Sequence, residues 1–377
     1  MSTYPSFANC HSHFFHRALR ARPGGTHKVP GRDFWGWRAG MYALASVLDP
    51  ELYRRLARAT FAEMRLAGIG VVAEFHYLHH GPDGVPYDDP NAMSEAVIAA
   101  AEDVGLRLCL LETCYLRAGF RDASLNDVQR RFSDGAAQDW AQRVETLRAR
   151  HPDSPWLRVG AAIHSVRAVG PDDLALVASA FPDAPLHVQI SEQPAENEAC
   201  LATTGRTPTE LLADAGVWRR GATAVHATHV THSDIAIIGG AGASVCFCPT
   251  TEAELADGIG PSVALREAGA RITLGTDSQT CIDMFEEARM LAMHERLATG
   301  VRDGWQADEL WRAATTDGTA SLGFAGDDRF ELRTSVRTAG AAEPLWAAAA
   351  PDVIPPLDPD AVAVELAEVI DDIWDRL

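Results

Sequence analysis

The order of this chain is dominated by eight short apolar runs, at 5–13, 69–77, 106–114, 157–165, 185–191, 222–228, 243–249 and 270–277. They are rich in Val, Ile, Leu and Cys and often end in polar residues, which is how buried parallel strands read. Helical patterns lie between most of them, at 50–68 (stopped by Gly68), 91–105 and 139–150. Eight strand–helix units in succession predict an α/β fold, a (β/α)8 TIM barrel. A doubly wound sheet would usually have fewer units and a glycine-rich loop after its first strand, and the chain has no GxGxxG. Helices are expected next at 283–300 and 309–323. An Ala/Pro-rich stretch at 338–358 reads as a linker, and 358–377 as one acidic amphipathic helix.

Composition narrows the function classes. At 47% hydrophobic residues, the 377-residue chain can bury a sizeable core, which excludes a disordered chain. The net charge of −19 argues against nucleic-acid and anionic-membrane partners, which need a basic face. It leaves room for an anionic small molecule held by a few arginines. The seven cysteines fit free thiols in a reducing compartment better than a disulfide framework. No apolar run approaches the roughly 18 residues of a membrane span, and the N-terminus does not read as a signal peptide. The expectation is a soluble cytoplasmic protein, and composition leaves a homodimer open.

In a barrel, chemistry gathers at the C-terminal ends of the strands. The first run ends in His11-Ser-His13, whose imidazoles face one side about 6.6 Å apart along a strand. Two such histidines can ligate one metal, or can be ordinary core residues. His164 stands at the end of the fourth run with Arg167 shortly after it, and the fifth carries His187 and Gln189 with Glu192 at its tip. His226 ends the sixth and Asp277 the eighth. Convergence of these groups on one rim favours a site over scattered core histidines.

The set resembles the amidohydrolase superfamily. HSHFFHRALR (11–20), FWGWRAGMY (34–42), EFHYLHH (74–80), HSVRAV (164–169), VHATH (225–229), TTEAELADGI (250–259) and TDS (276–278) resemble the formimidoylglutamate deiminase family. The likeness runs from about residue 8 to about residue 340, including SVRTAGA (335–341). It implies one divalent metal ion, usually zinc, with His11, His13 and Asp277 as ligands. It implies a proton shuttle at Glu192, a group at His226 that orients water and adduct, and Asp277 as proton acceptor. His16, Arg38, Tyr77, His164 and Arg167 match its substrate-pocket residues. The implied reaction converts formimidoylglutamate and water to formylglutamate and ammonia, so the expected partner is a small amidine bearing carboxylates. The division implied is a barrel over 1–325, a remnant of the small β-sandwich and linker over 326–357, and the acidic helix. Nothing of the sandwich is expected before the first strand.

Three positions depart from that pattern. The fifth-strand metal ligand should be a histidine, and Gln189 stands there. Its neutral amide oxygen is a poor zinc ligand beside imidazole, so weaker zinc binding, a different metal or no metal is expected. His187 lies one layer too deep to replace it. Glu254 stands where Asn is expected, and Gln279 where His is expected. A different substrate or a metal-free relative therefore stays open beside the deiminase reading. In EFHYLHH, His76 is expected to point into the barrel, and His79 and His80 are expected in a loop within reach of the pocket for one of them. Cys246 and Cys248 read as buried structural thiols.

Overall fold

The computed structural model describes residues 2–20, 34–121, 124–326, 328–339 and 343–377. Ten strands occur among them: β1 (Ser2–Pro5), β2 (Phe7–Ser12), β3 (Ile69–His76), β4 (Arg107–Cys114), β5 (Leu157–Ile163), β6 (Leu186–Ile190), β7 (Ala222–His226), β8 (Ser244–Phe247), β9 (Arg271–Leu274) and β10 (Arg329–Leu332). β2 to β9 form one eight-stranded sheet in sequence order, every hydrogen-bonded neighbour parallel. Helices on the outside cover these strands, so nearly every strand residue is buried, as the apolar runs required. The fold is a TIM barrel.

The barrel closes where its first and last strands meet, at a parallel bridge between Ser12 and Asp277. The amides of Thr276 and Asp277 donate to the His11 carbonyl at 3.1 and 2.9 Å, and the His13 amide donates to the Asp277 carbonyl at 3.0 Å. Asn9 stitches the seam below: its side-chain oxygen accepts from the Thr276 amide at 3.0 Å and its amide group donates to the Thr276 hydroxyl at 2.7 Å. Gly275 permits the approach, because a Cβ there would lie 2.7 Å from the His11 carbonyl oxygen and 2.8 Å from its Cβ.

The outer helices follow their sequence signals. Pro50–Leu66 is capped by Asp49, which accepts from the Leu52 amide, and Pro50 occupies its first turn. Its face of Leu52, Tyr53, Leu56, Phe61 and Met64 is buried. The helix expected at 309–323 is broken at Thr315 into Ala307–Ala314 and Thr316–Ser321.

Two expectations about the ends need correction. Residues before the first barrel strand do build part of a small sheet, since β1 pairs antiparallel with β10, Ser2 opposite Leu332. The alternation there is too short to stand out by periodicity. The described part of the Ala/Pro stretch is packed rather than a free linker: Leu345, Ala348 and Val353 are buried, and Arg289 donates to the carbonyls of Leu345 and Ala348. Residues 340–342 of that stretch lie outside the described residues. The final helix, Pro359–Trp374, buries Val362, Leu366, Val369, Ile370 and Ile373. It lies against Pro50–Leu66, with an Arg55–Asp372 pair at 2.7 Å, and Trp374 donates to the Ala18 carbonyl at 3.0 Å.

Candidate active site

The seam places its polar groups at one point. Asp277 Oδ1 lies 3.4 Å from His11 Nε2 and 3.3 Å from His13 Nε2. The Gln189 amide nitrogen on β6 lies 3.2 Å from each of the same two nitrogens. His13 Nδ1 donates to the Phe75 carbonyl at 3.1 Å, which leaves Nε2 as a lone pair turned inward. His226 closes the group: its Nε2 is 3.9 Å from Asp277 Oδ2 and 3.8 Å from Glu192 Oε1. Its Nδ1 faces Glu252 Oε1 at 3.3 Å, and that same oxygen accepts from the Cys248 amide at 2.8 Å.

The backbone at these strand tips is unusual. Ser191, His226, Ala227, Asp277 and Gln279 all have positive φ, between 42° and 67°. Such conformations cost non-glycine residues roughly 1–3 kcal/mol each and collect at functional sites. Gln279 helps to hold the turn, for it accepts from the Thr276 hydroxyl at 2.8 Å and donates to the Ser12 hydroxyl at 2.9 Å. Ser12 in turn donates to the buried Glu74 at 2.7 Å.

Electrostatics sort the groups. Burial lowers the pKa values of His11 and His13, which keeps both imidazoles neutral. Burial alone would raise the Asp277 carboxyl, but the facing His11, His13 and His226 outweigh it and hold it well below the usual range. Glu192 is raised, first by burial and then by Asp277. His226 resists burial because Glu192, Glu252 and Asp277 surround it, and its pKa is raised well above that of a free imidazole. A neutral pair, an ionised carboxylate, a carboxyl that readily holds a proton and a cationic imidazole thus share one pocket.

The pocket extends outward from this cluster, lined by His16, Arg38, Tyr77, His164 and Arg167 among others. His16 Nε2 and the Tyr77 hydroxyl are 3.0 Å apart. Arg38 donates to the Tyr42 hydroxyl at 2.9 and 2.6 Å. Arg167 Nη1 is buried with no hydrogen-bond partner among the described residues. A buried guanidinium nitrogen left without an acceptor is costly and suits a carboxylate ligand.

The chain matches the amidohydrolase family over residues 3–327. It belongs to that family. Among curated relatives it is 35% identical to the formimidoylglutamate deiminase of Pseudomonas aeruginosa over 330 residues, 85% of this chain and 72% of that one. It is 27% identical to an 8-oxoguanine deaminase of the same organism, covering 78% of this chain and 64% of that one. Among solved structures, an amidohydrolase from Brucella melitensis superposes with a TM-score of 0.89 at 29% identity, over 99% of this chain and 90% of that one. A zinc-bound adenosine deaminase from Xanthomonas campestris shares the fold, with a TM-score of 0.82 at 22% identity over 99% and 86% of the two chains. The chain is thus an enzyme of the hydrolase and deaminase type, and the deaminase kinship read from its motifs holds. No described helix is long and apolar enough to cross a membrane.

Of the eleven residues expected to bind metal, act in catalysis or contact substrate, nine line this pocket, and His11 and His226 stand against Asp277 at its base. Other expectations need correction. His76 points away from the barrel interior, because Phe75 takes the inward position against His11 and His13, while His76 Nδ1 meets the Tyr53 hydroxyl under the helix layer at 3.1 Å. Neither His79 nor His80 reaches the pocket: His79 donates to the Thr113 carbonyl at 2.9 Å, and His80 Nε2 lies 3.0 Å from Asp134. Glu254, the second departure from the family pattern, is an exposed carboxylate beside Thr280. Gln279, the third departure, is a buried seam residue. His187 is buried, with neither ring nitrogen hydrogen-bonded among the described residues. Cys246 and Cys248 are buried free thiols, as expected. The sequence reading missed Glu252 as the partner of His226, although it lies inside a quoted motif, and it missed the Tyr42, Tyr115 and Phe132 walls. Tyr42 lies on the helix Phe34–Val47 and the other two lie beyond strand or helix ends, and a lone aromatic residue at such places carries no spacing signal for a pocket wall.

Proposed function

We propose that this enzyme hydrolyses the C–N bond of a carboxylate-bearing amidine, with formimidoylglutamate as the reference substrate. The observation that carries this reading is the shared pocket: Glu192, His226 and Asp277 stand at its base beside His11 and His13, and Arg38 and Arg167 line the same cavity. The donor set suits a divalent cation. Ligand atoms about 2.0–2.1 Å from a tetrahedral ion lie about 3.3 Å from one another, and the contacts of Asp277 and Gln189 with the two imidazoles measure 3.4, 3.3, 3.2 and 3.2 Å. His11, His13 and Asp277 would hold the ion, with the Gln189 amide in the fourth position. A bound ion supplies water of lowered pKa, about 7 in favourable cases, and polarises the reacting group.

The chain's own groups supply the rest. Asp277, held ionised, accepts a proton from the attacking water. His226, cationic among three carboxylates and oriented by Glu252, steadies the negative charge that develops on the adduct oxygen as its hydroxyl gives up the second water proton, which returns to Glu192 once that carboxyl has protonated the leaving nitrogen. Glu192, with its raised pKa, delivers a proton to the leaving nitrogen, so that ammonia departs and the N-formyl product remains. Arg38 and Arg167 pair with substrate carboxylates, and the His16–Tyr77 pair and His164 line the intervening wall. Zinc binding in the Xanthomonas campestris structure makes zinc one candidate ion.

The test is ammonia release by protein supplied with a divalent metal, from formimidoylglutamate and from a formimidoyl alkylamine lacking carboxylates. Fast release from the first alone is expected. No release from formimidoylglutamate with any divalent ion would contradict the proposal. A second reading, the same reaction on a larger acid, is favoured by one feature. The cavity continues past Arg38, Arg167 and Glu192 to a space lined by Phe120, Arg121 and Glu196.

A further inference from the structure

Gln189 offers two faces of one amide to the same point. Its NH2 group has two hydrogens and lies 3.2 Å from two imidazole nitrogens, His11 Nε2 and His13 Nε2. At His13 the nitrogen facing Gln189 is an acceptor, because Nδ1 is already committed to the Phe75 carbonyl at 3.1 Å. Without that NH2 group, the His13 Nε2 lone pair and the Asp277 carboxylate oxygen, 3.3 Å apart, would face one another with no donor from Gln189 between them. A histidine here could serve as a ligand but could not bridge both rings as a double donor. Half a turn about the last side-chain torsion replaces the NH2 group by the carbonyl oxygen, a neutral hard donor.

We propose that Gln189 is a reversible metal ligand. Its NH2 group donates to His13 and faces His11 when no cation is bound, and its oxygen turns inward when one is. The resulting set has two imidazole nitrogens and two oxygens, and so surrenders much of the zinc preference that a third imidazole would confer. The site then takes harder divalent ions such as Mn2+ in closer competition with Zn2+. Two physical effects point the same way. Exchanging an imidazole for an amide oxygen weakens the borderline-soft ion more than the hard one. Binding any cation must also displace the amide NH2 group from the two imidazoles, which lowers affinity for every metal.

The inference rests on the metal-hydrolase reading of the site, but its test reads metal binding and not turnover. Chelator-stripped protein is titrated with Zn2+ and with Mn2+ by calorimetry and by indicator competition, for the wild type, Gln189→His and Gln189→Ala. Gln189→His is expected to tighten Zn2+ by about 100-fold or more, the upper end of what supporting-residue changes cost, and Mn2+ by less than about 10-fold. The ratio of the two affinities is therefore expected to rise at least about 10-fold. Gln189→Ala is expected to weaken both metals, because the fourth ligand is gone. An unchanged Zn2+/Mn2+ ratio in Gln189→His would overturn the proposal. So would wild-type binding in Gln189→Ala, which would assign the fourth position to another group, with the deeper His187 first in line. Melting curves of the stripped proteins separate a folding defect from a binding one. Loss of ammonia release with these affinities intact would count against the substrate reading alone.

Discussion

Two clusters of histidine and carboxylate lie at the strand ends of this barrel, and they are built to opposite ends. His11, His226 and Asp277 present ligand atoms within 4.8 Å of one another, and so do His76, His79 and Glu112. The second cluster has a resident cation. Arg143 Nη1 lies 2.7 Å from Glu112 Oε2 and its Nε lies 2.8 Å from Asp134 Oδ1, while Ser94 donates to the other Glu112 oxygen at 2.6 Å. Among the described residues no arginine or lysine is paired with the first cluster, and the neutral Gln189 amide stands 3.2 Å from His11 and from the neighbouring His13. Ligand types and spacing are therefore shared. What distinguishes a candidate metal centre from a structural network is whether a guanidinium is already paired directly with the cluster's carboxylate, as Arg143 is with Glu112; His226, the titratable cation of the first cluster, stands 3.9 Å from Asp277.

The comparison can be broken by removing one group at a time. The largest effect is expected from Glu192→Gln, which removes the proton donor and leaves the shape. Turnover should fall by about 100- to 10,000-fold, with metal stoichiometry unchanged. A fall in metal content equal to the fall in rate would move Glu192 into the ligand set. Next comes Arg143→Met in the second cluster. It leaves Glu112 as a buried unpaired carboxylate, and denaturant unfolding should register a loss of about 3–5 kcal/mol. Metal affinity of the folded fraction should hold. A stable variant with altered metal binding would show that the two clusters are not separable.

Smaller effects sharpen the picture. Arg167→Ala should raise KM for a carboxylate substrate by about 10- to 100-fold, the worth of one charged hydrogen bond, with kcat little changed. An unchanged KM would place the carboxylate elsewhere. The smallest effect concerns acid. Arg143 and His80 outweigh burial and hold the Asp134 carboxyl well below its usual range. Its contribution to stability is therefore fully present above the unfolded pKa of about 3.9 and is lost as pH falls through the lower folded value. The stability gap between wild type and Asp134→Asn should be constant at neutral pH and close only under strong acid. A gap that closes between pH 5 and 7 would contradict that assignment.

The barrel was legible because burial on both faces forces continuous apolar runs, and each of the eight runs contains its observed strand or all but overlaps it. The grouping of the pocket residues was legible because strand ends converge in this fold, so His11, His13, His226 and Asp277 could be placed together before any distance was known. Gln189 stood out through one missing imidazole, but its approach to both histidines needs a seam geometry that no spacing encodes. His76 was misread because its direction depends on which of two neighbours, Phe75 or His76, takes the inward side of β3. The small sheet of β1 and β10 was invisible because its strands are four residues each and pair across nearly the whole chain. Glu252 escaped notice because its role is to orient another side chain.

The central claim is that the seam cluster takes the cation and the arginine-bound cluster does not. Equilibrium dialysis against Mn2+ and against Zn2+, followed by elemental analysis, tests it in the wild type, Asp277→Asn and Glu112→Gln. The account predicts about one equivalent per chain in the wild type and Glu112→Gln, and loss in Asp277→Asn. Metal retained in Asp277→Asn, lost in folded Glu112→Gln, or missing from the wild type at saturating concentrations of both ions would contradict it.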